Sequence, residues 1–181
     1  TAVPRLGGVA IAAGLAAGSL VGLMAGWTQW GMTIPRPELV ALPIAAGLVF
    51  LVGLVDVLFG VTPAKKFIVE LVVAWMLVRV GWSFTELNLP FVGEVHLGIW
   101  GGLVSLLWVV GVTNAINLID GLDGLAGGVA AIISASMLVY ALIQHNLGSV
   151  VLMAAIVGAC LGFLRHNWEP AQVFMGDSGS L

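Results

Sequence analysis

Six stretches of mostly apolar residues, at about 8–27, 38–57, 65–83, 97–114, 125–144 and 147–164, follow one another with short connectors between them. Each is close to the roughly 20 residues an α-helix needs to cross the hydrocarbon core of a bilayer. Hydrocarbon offers no partner to a backbone N–H or C=O, so spans of this kind must be helices that satisfy themselves. A soluble fold is excluded by composition: 60% of the 181 residues are hydrophobic and 8% are charged, against about 25% charged in a soluble domain. The expected fold is all-α, a polytopic transmembrane bundle of about six spans forming a single membrane-embedded domain over 1–181. The bilayer is its first partner.

The connectors differ in character. WTQWGMTIPRPE (27–38) carries two prolines and flanking tryptophans, which favour the membrane interface. SFTELNLPFVGEVHLG (83–98) alternates around Phe91–Leu97 and predicts either a short hairpin or an amphipathic surface element. HNLG (145–148) predicts a tight turn. No repeat or low-complexity tract divides the chain. Six basic against nine acidic residues give no basis for nucleic-acid binding. The lone Cys160 lies in an apolar run and has no partner for an intramolecular disulfide.

Spans alternate in direction, so the segments around Arg5, 57–65, 114–125 and 165–181 share one face. Arg5, Lys65, Lys66 and Arg165 lie there; Arg36 and Arg79 lie on the other. The excess of positive charge assigns the first face to the cytoplasm. The same parity brings all four aspartates, Asp56, Asp120, Asp123 and Asp177, to cytoplasmic span ends. An acid at the bilayer centre costs about 2.5–3.5 kcal/mol on insertion scales; at the interface it avoids most of this. Any one of these acids alone can simply cap a helix or face water. As a set they come with glycines and amides and few basic neighbours, which suits a divalent cation.

The stretch NAINLIDGLDGLAGG (114–128) holds the densest polar pattern. A step of three residues turns a helix back by about 60°, so Asn114, Asn117 and Asp120 can line one side. Gly121 and Gly124 argue against continuation to Asp123. The pattern predicts a helix end, a turn holding both aspartates, and a new helix from about Leu125. Carboxylate and amide oxygens suit Mg²⁺, with Mn²⁺ as an alternative, rather than zinc.

Other segments on the same face add related chemistry. PRLGG (4–8) places Arg5 before two glycines whose N–H groups can meet phosphate at a helix start, or Arg5 is a plain positive anchor. In GLVDVLFGVTPAKKF (53–67), Asp56 ends a span and Lys65 and Lys66 either face lipid phosphates or snorkel. In FLRHNWEPAQVFMGDSGS (163–180), Asp177 sits among small residues open to a metal or phosphate, with Asn167 near the same interface and His166 as either a ligand or an interfacial residue.

In this order, PRLGG, GLVDVLFG, NAINLIDGLDGLAGG and HNWEPAQVFMGDSGS resemble the polyprenyl-phosphate N-acetylhexosamine-1-phosphate transferases. These motifs, interleaved with spans, cover nearly the whole chain. The PRLGG, FGVTPAKKF and FLRHNWEPA stretches look more like the GlcNAc-1-phosphate enzymes than the phospho-N-acetylmuramoyl-pentapeptide transferase, which stays as the alternative. The resemblance implies a multi-pass plasma-membrane enzyme with a cytoplasmic site. Undecaprenyl phosphate attacks a UDP-N-acetylhexosamine, UMP leaves, and cell-envelope polysaccharide synthesis begins, with Mg²⁺ required. It further implies that Asp177 contacts Mg²⁺ and that Asp120 and Asp123 serve the nucleotide-sugar and metal region. Asn114 and Asn117 would lie near the nucleotide or diphosphate, and Arg5, Lys65 and Asn167 would complete the substrate-binding set. Asp56 matches the first of two adjacent aspartates; Val57 stands where the second is usual. Relative to the family, a preceding span and later spans with a histidine-rich loop are expected outside this sequence. A homodimer is compatible with this reading. A transporter using interfacial acids as an ion path, and an inactive homologue, are the rivals from other classes; a transporter predicts acids near span centres.

Overall fold

The computed structural model describes residues 4–29 and 36–181, and the side chains of 27–29 and 36–39 are outside that description. The helices are α1 (Gly7–Gln29), α2 (Arg36–Phe59), α3 (Pro63–Val80), α4 (Gly101–Ile119), α5 (Leu125–Ile143), α6 (Leu147–Asn167) and the single turn α7 (Asp177–Ser180). Six are of membrane length, as the apolar stretches predict. Five of these are also apolar enough to cross a bilayer by composition alone. The exception, α3, carries Lys65, Lys66, Glu70 and Arg79. The centre of the 27–38 connector falls on residues outside the description.

The 83–98 connector is a hairpin, β1 (Glu86–Leu89) paired antiparallel with β2 (Gly93–His96), with Glu86 opposite His96. Ser105 fastens it to α4: its hydroxyl accepts from Phe84 N at 2.7 Å and donates to Gly101 O at 2.7 Å. Pro63 opens α3, where its missing N–H costs nothing. The side chain of Asn146 caps α6 by accepting from Ser149 N at 3.1 Å.

Helix α1 packs antiparallel on α6 through small residues. A Cβ on Gly14 or Gly18 would meet Ala159 or Ala155 at 3.4 and 3.1 Å. Backbones brought this close gain dispersion contacts, which is how helices associate where lipid is as apolar as leucine. Further pairs are α5 with α6, α2 with α3, and α3 with α4. The buried interior is accordingly small-residue and thin, with Ala74, Ala126, Ala131, Cys160, Phe163, Leu164 and Met175 among its members. Large side chains such as Leu20, Val21, Trp75, Leu107 and Ile132 point outward. Outward apolar bulk is what a bilayer solvates.

Candidate active site at one end of the bundle

Four segments distant in sequence meet at one end of the bundle. The extended residues before α1 pair with those before α7: Phe174 N donates to Pro4 O, Gly7 N to Phe174 O and Gly8 N to Met175 O, each at 2.9 Å. The segment 174–180 lies between α1 and α2. A Cβ on Gly8 would stand 2.3 Å from Gly179 N, and one on Gly53 would stand 2.2 Å from Asp177 O. Only glycine permits backbone contact this close. These hydrogen bonds also correct one expectation. The amides of Gly7 and Gly8 are committed to carbonyls of the same chain, so PRLGG holds 174–176 in place and does not present free donors to phosphate. Arg5 is exposed at this end.

Asp177 is thereby delivered to α2 and α3. Lys66 Nζ lies 2.5 Å from Asp177 Oδ2 and 3.0 Å from Asp56 Oδ2. The other oxygen of Asp56 accepts from Val61 N at 2.5 Å. The three side chains are largely shielded from water, which strengthens their attraction. Lys65, the lysine singled out from sequence, is exposed. It borders an apolar groove of about 450 Å³ between α2 and α3, with Leu48, Leu51, Val55 and Val61 among the other walls.

Helix α4 runs to Ile119, five residues beyond the expected end, so Asn114 and Asn117 lie within it and Asp120 closes it. The turn then holds both aspartates, Gly124 takes φ 72°, and α5 starts at Leu125 as predicted. Asn117 Nδ2 donates to Ser180 Oγ at 2.9 Å. Asp120 is half-buried beside Asp177. Burial pushes its carboxyl up to about 6, the charge of Asp177 adds to the rise, and a hydrogen bond from the Gly176 backbone opposes it. Asp123 takes another role: its Oδ2 accepts from Ala171 N at 2.9 Å, at an exposed position. Asn167 is buried, accepting from Gly124 N at 2.9 Å and donating to Val173 O at 2.8 Å. It braces the 120–124 turn against the 168–173 loop, a structural part that the sequence did not signal. Its two bonds leave little of it for a ligand.

Asp56, Asp120 and Asp177 are thus drawn to one end of the bundle, and Asp123 is tied to a neighbouring loop. Among the described residues no three His, Cys, Asp or Glu side chains form a ready metal cage. Asp120 and Asp177 alone make a hard-oxygen pair whose mutual repulsion a cation would relieve. Mg²⁺ commonly binds through one or two carboxylates with phosphate oxygens completing its shell, so the donor set fits that ion.

Sequence reasoning missed the role of Lys66 and passed over Glu70. Lys66, not Lys65, bridges the acids. Glu70 is buried inside α3 and accepts from Asn114 Nδ2. The phase of α3 carries the signal for both: Lys66, Glu70, Val73 and Ala74 share the face on which Glu70, Val73 and Ala74 are buried. Glu70 begins about 10 Å into the helix at 1.5 Å per residue, within one turn of the middle of this 18-residue element.

A family model for glycosyl transferase family 4 matches residues 39–181. The chain belongs to glycosyl transferase family 4. It is 38% identical over 180 residues to a probable undecaprenyl-phosphate N-acetylglucosaminyl 1-phosphate transferase of Bacillus subtilis, covering 99% of this chain and 48% of that protein. It is 34% identical to a decaprenyl-phosphate N-acetylglucosaminephosphotransferase of Mycolicibacterium smegmatis, covering 98% of this chain and 46% of the relative. A phospho-N-acetylmuramoyl-pentapeptide-transferase of Listeria monocytogenes is 40% identical over 126 residues, 67% of this chain and 39% of its own length. The chain therefore spans about half the length of the curated relatives it matches. As a family 4 member with several apolar membrane-length helices, it is a multi-pass membrane protein.

Proposed function

We propose that the protein containing this chain transfers N-acetylglucosamine-1-phosphate, or a related N-acetylhexosamine-1-phosphate, from a UDP-sugar to undecaprenyl phosphate at the cytoplasmic face of the plasma membrane. The observation that carries the proposal is the Asp56–Lys66–Asp177 bridge with Asp120 beside it, at the end of the bundle where the family motifs converge. A lipid phosphate oxygen attacks the β-phosphorus of the UDP-sugar. The bond from that phosphorus to the bridging oxygen breaks, UMP leaves, and a polyprenyl diphosphate sugar remains. The product then starts cell-envelope polysaccharide synthesis.

The barrier to such a reaction is charge and position more than covalent chemistry. A phosphate monoester has its second pKa near ~6, so the attacking phosphate is already mostly dianionic at neutral pH and needs no strong base. Both oxygens of Asp56 are engaged, by Val61 N and Lys66 Nζ, which supports an orienting role for this acid. Asp120 and Asp177 are the residues that would hold Mg²⁺, which when bound offsets the repulsion between two anionic phosphates. Lys66 keeps Asp177 aimed into the site.

Alignment over nearly the whole chain favours the GlcNAc-1-phosphate reading over the muramoyl-pentapeptide one, whose relative matches two thirds of the chain. The test is a radiolabel assay on the full-length protein with undecaprenyl phosphate, Mg²⁺ and either UDP-GlcNAc or UDP-MurNAc-pentapeptide. Transfer from UDP-GlcNAc supports the proposal; transfer from the pentapeptide substrate alone reassigns it, and no transfer from either rejects it.

A further inference from the structure

Asn114 carries its amide in a fixed orientation. Its Nδ2 donates to the carboxylate Oε2 of Glu70 on α3 and, at 2.9 Å, to Val110 O one turn back on α4. A carbonyl oxygen can only accept, so the nitrogen side of the amide must face it. Both amide hydrogens are spent in this way. What remains is Oδ1, which makes no hydrogen bond to the described residues and can only accept.

This limits what Asn114 can recognise. A diphosphate presents oxygens alone, and two acceptors facing each other repel. A uracil imide N–H, an acetamido N–H or a sugar hydroxyl each presents a hydrogen; a hard cation also takes an amide oxygen, but the carboxylates of Asp120 and Asp177 are the stronger donors for it. Glu70 is the group that enforces the choice. It is 5% exposed, no basic side chain pairs with it among the described residues, and Asn114 is the partner that satisfies it. Without that carboxylate the Val110 carbonyl alone holds the amide, and the orientation that presents Oδ1 is held less firmly.

We propose that Glu70 is a positioning residue that locks Asn114 as a hydrogen-bond acceptor for an N–H or O–H of the sugar nucleotide. The proposal rests on the sugar-nucleotide reading above and names the part of the substrate this end of α4 reads. Of the two places expected for Asn114, near the nucleotide or near the diphosphate, it favours the nucleotide-sugar side over the diphosphate oxygens. It also gives Glu70, the one buried acid inside a span among the described residues, a reason to be there, since such a group is otherwise costly.

Three variants of the full-length protein test it, with binding of UMP and UDP-GlcNAc and steady-state KM for both substrates as readouts. Glu70→Gln keeps an oxygen that accepts from Asn114 and should stay within about threefold of wild type. Asn114→Asp sets two carboxylates against each other and should raise KM for UDP-GlcNAc tenfold or more, with KM for the lipid phosphate unchanged. Adding Glu70→Gln to Asn114→Asp lets the glutamine N–H donate to one Asp oxygen while the second stays an acceptor; the oxygen that replaces Nδ2 still faces the Val110 carbonyl. Part of the lost affinity should return. Wild-type protein that binds no uridine nucleotide rejects the functional reading and this inference with it. Wild-type binding combined with a failed rescue, or with Glu70→Gln as damaging as Asn114→Asp, overturns this inference alone.

Discussion

Lys66 Nζ lies 2.5 Å from Asp177 Oδ2 across 111 residues of sequence. The same ammonium holds Asp56, so one cation joins the end of α2, the start of α3 and the first residue of α7. Replacing Lys66 by Met leaves two carboxylates facing each other without compensation. Breaking a fully buried pair costs about 3–5 kcal/mol; here partial exposure brings the expectation to about 1–2 kcal/mol. A lower melting temperature in detergent and loss of transferase activity in the full-length protein are the expected outcomes, and Lys66→Arg should recover much of the stability. An unchanged melting temperature in Lys66→Met would show that the bridge does not hold these segments together.

Asp120 gives the site a pH signature. Its folded-state carboxyl is raised from the ordinary 3.8 to about 6. Such a group contributes stability that is complete below the unfolded value and is lost as pH rises through about 6. The rise corresponds to roughly 3 kcal/mol for a shielded carboxyl, and solvent screening of this half-buried one reduces it to about 1 kcal/mol. In EDTA, Asp120→Asn should therefore melt higher than wild type at pH 8, with a smaller gap at pH 5. Thermal unfolding at the two pH values checks this; a gap independent of pH contradicts it.

Two glycines of α2 should respond in opposite directions. A Cβ at Gly53 would press on Asp177 O at 2.2 Å, whereas nothing lies within 4 Å of one at Gly47. Gly53→Ala should destabilise by roughly 1–3 kcal/mol through overpacking and displace Asp177. Gly47→Ala should be neutral or stabilising by about 0.5–1 kcal/mol, because alanine restricts the unfolded chain more. Melting temperatures of the pair decide it, each variant serving as the other's control.

Removal of the divalent ion tests the donor pair. Chelation should abolish transfer by the full-length protein, and added Mg²⁺ should restore it. Asp177→Asn should remain folded by size-exclusion and melting, yet show no Mg²⁺-dependent transfer. Near-normal turnover in that variant rejects Asp177 as a ligand.

Much of the fold was legible because one force dominates it. Long apolar runs must become helices in hydrocarbon, and alternation of spans alone placed the four aspartates at one end. The 83–98 alternation and the Gly121–Gly124 break were local signals of the same kind, and both elements formed. The site was less legible where it depended on helical phase and on backbone contacts between distant segments. Lys65 and Lys66 are adjacent and chemically alike; only the rotation of α3 separates an exposed lysine from one between two acids. Asp123 looked equivalent to Asp120 until the 168–173 loop claimed it. A phosphate-binding start stayed open for Gly7 and Gly8, beside a plain anchor at Arg5, because nothing in their own motif announces that residues 174 and 175 will use their amides.

The seating of 174–180 between α1 and α2 has a bearing on synthesis. Chains are made from the amino terminus onward, and earlier elements fold as they emerge. The glycines of α1 and α2 line a slot whose occupant is translated after every long helix described here. Until then Lys66 and Asp56 wait without their third member. Among the helices described here, that end of the bundle is therefore the last to be completed.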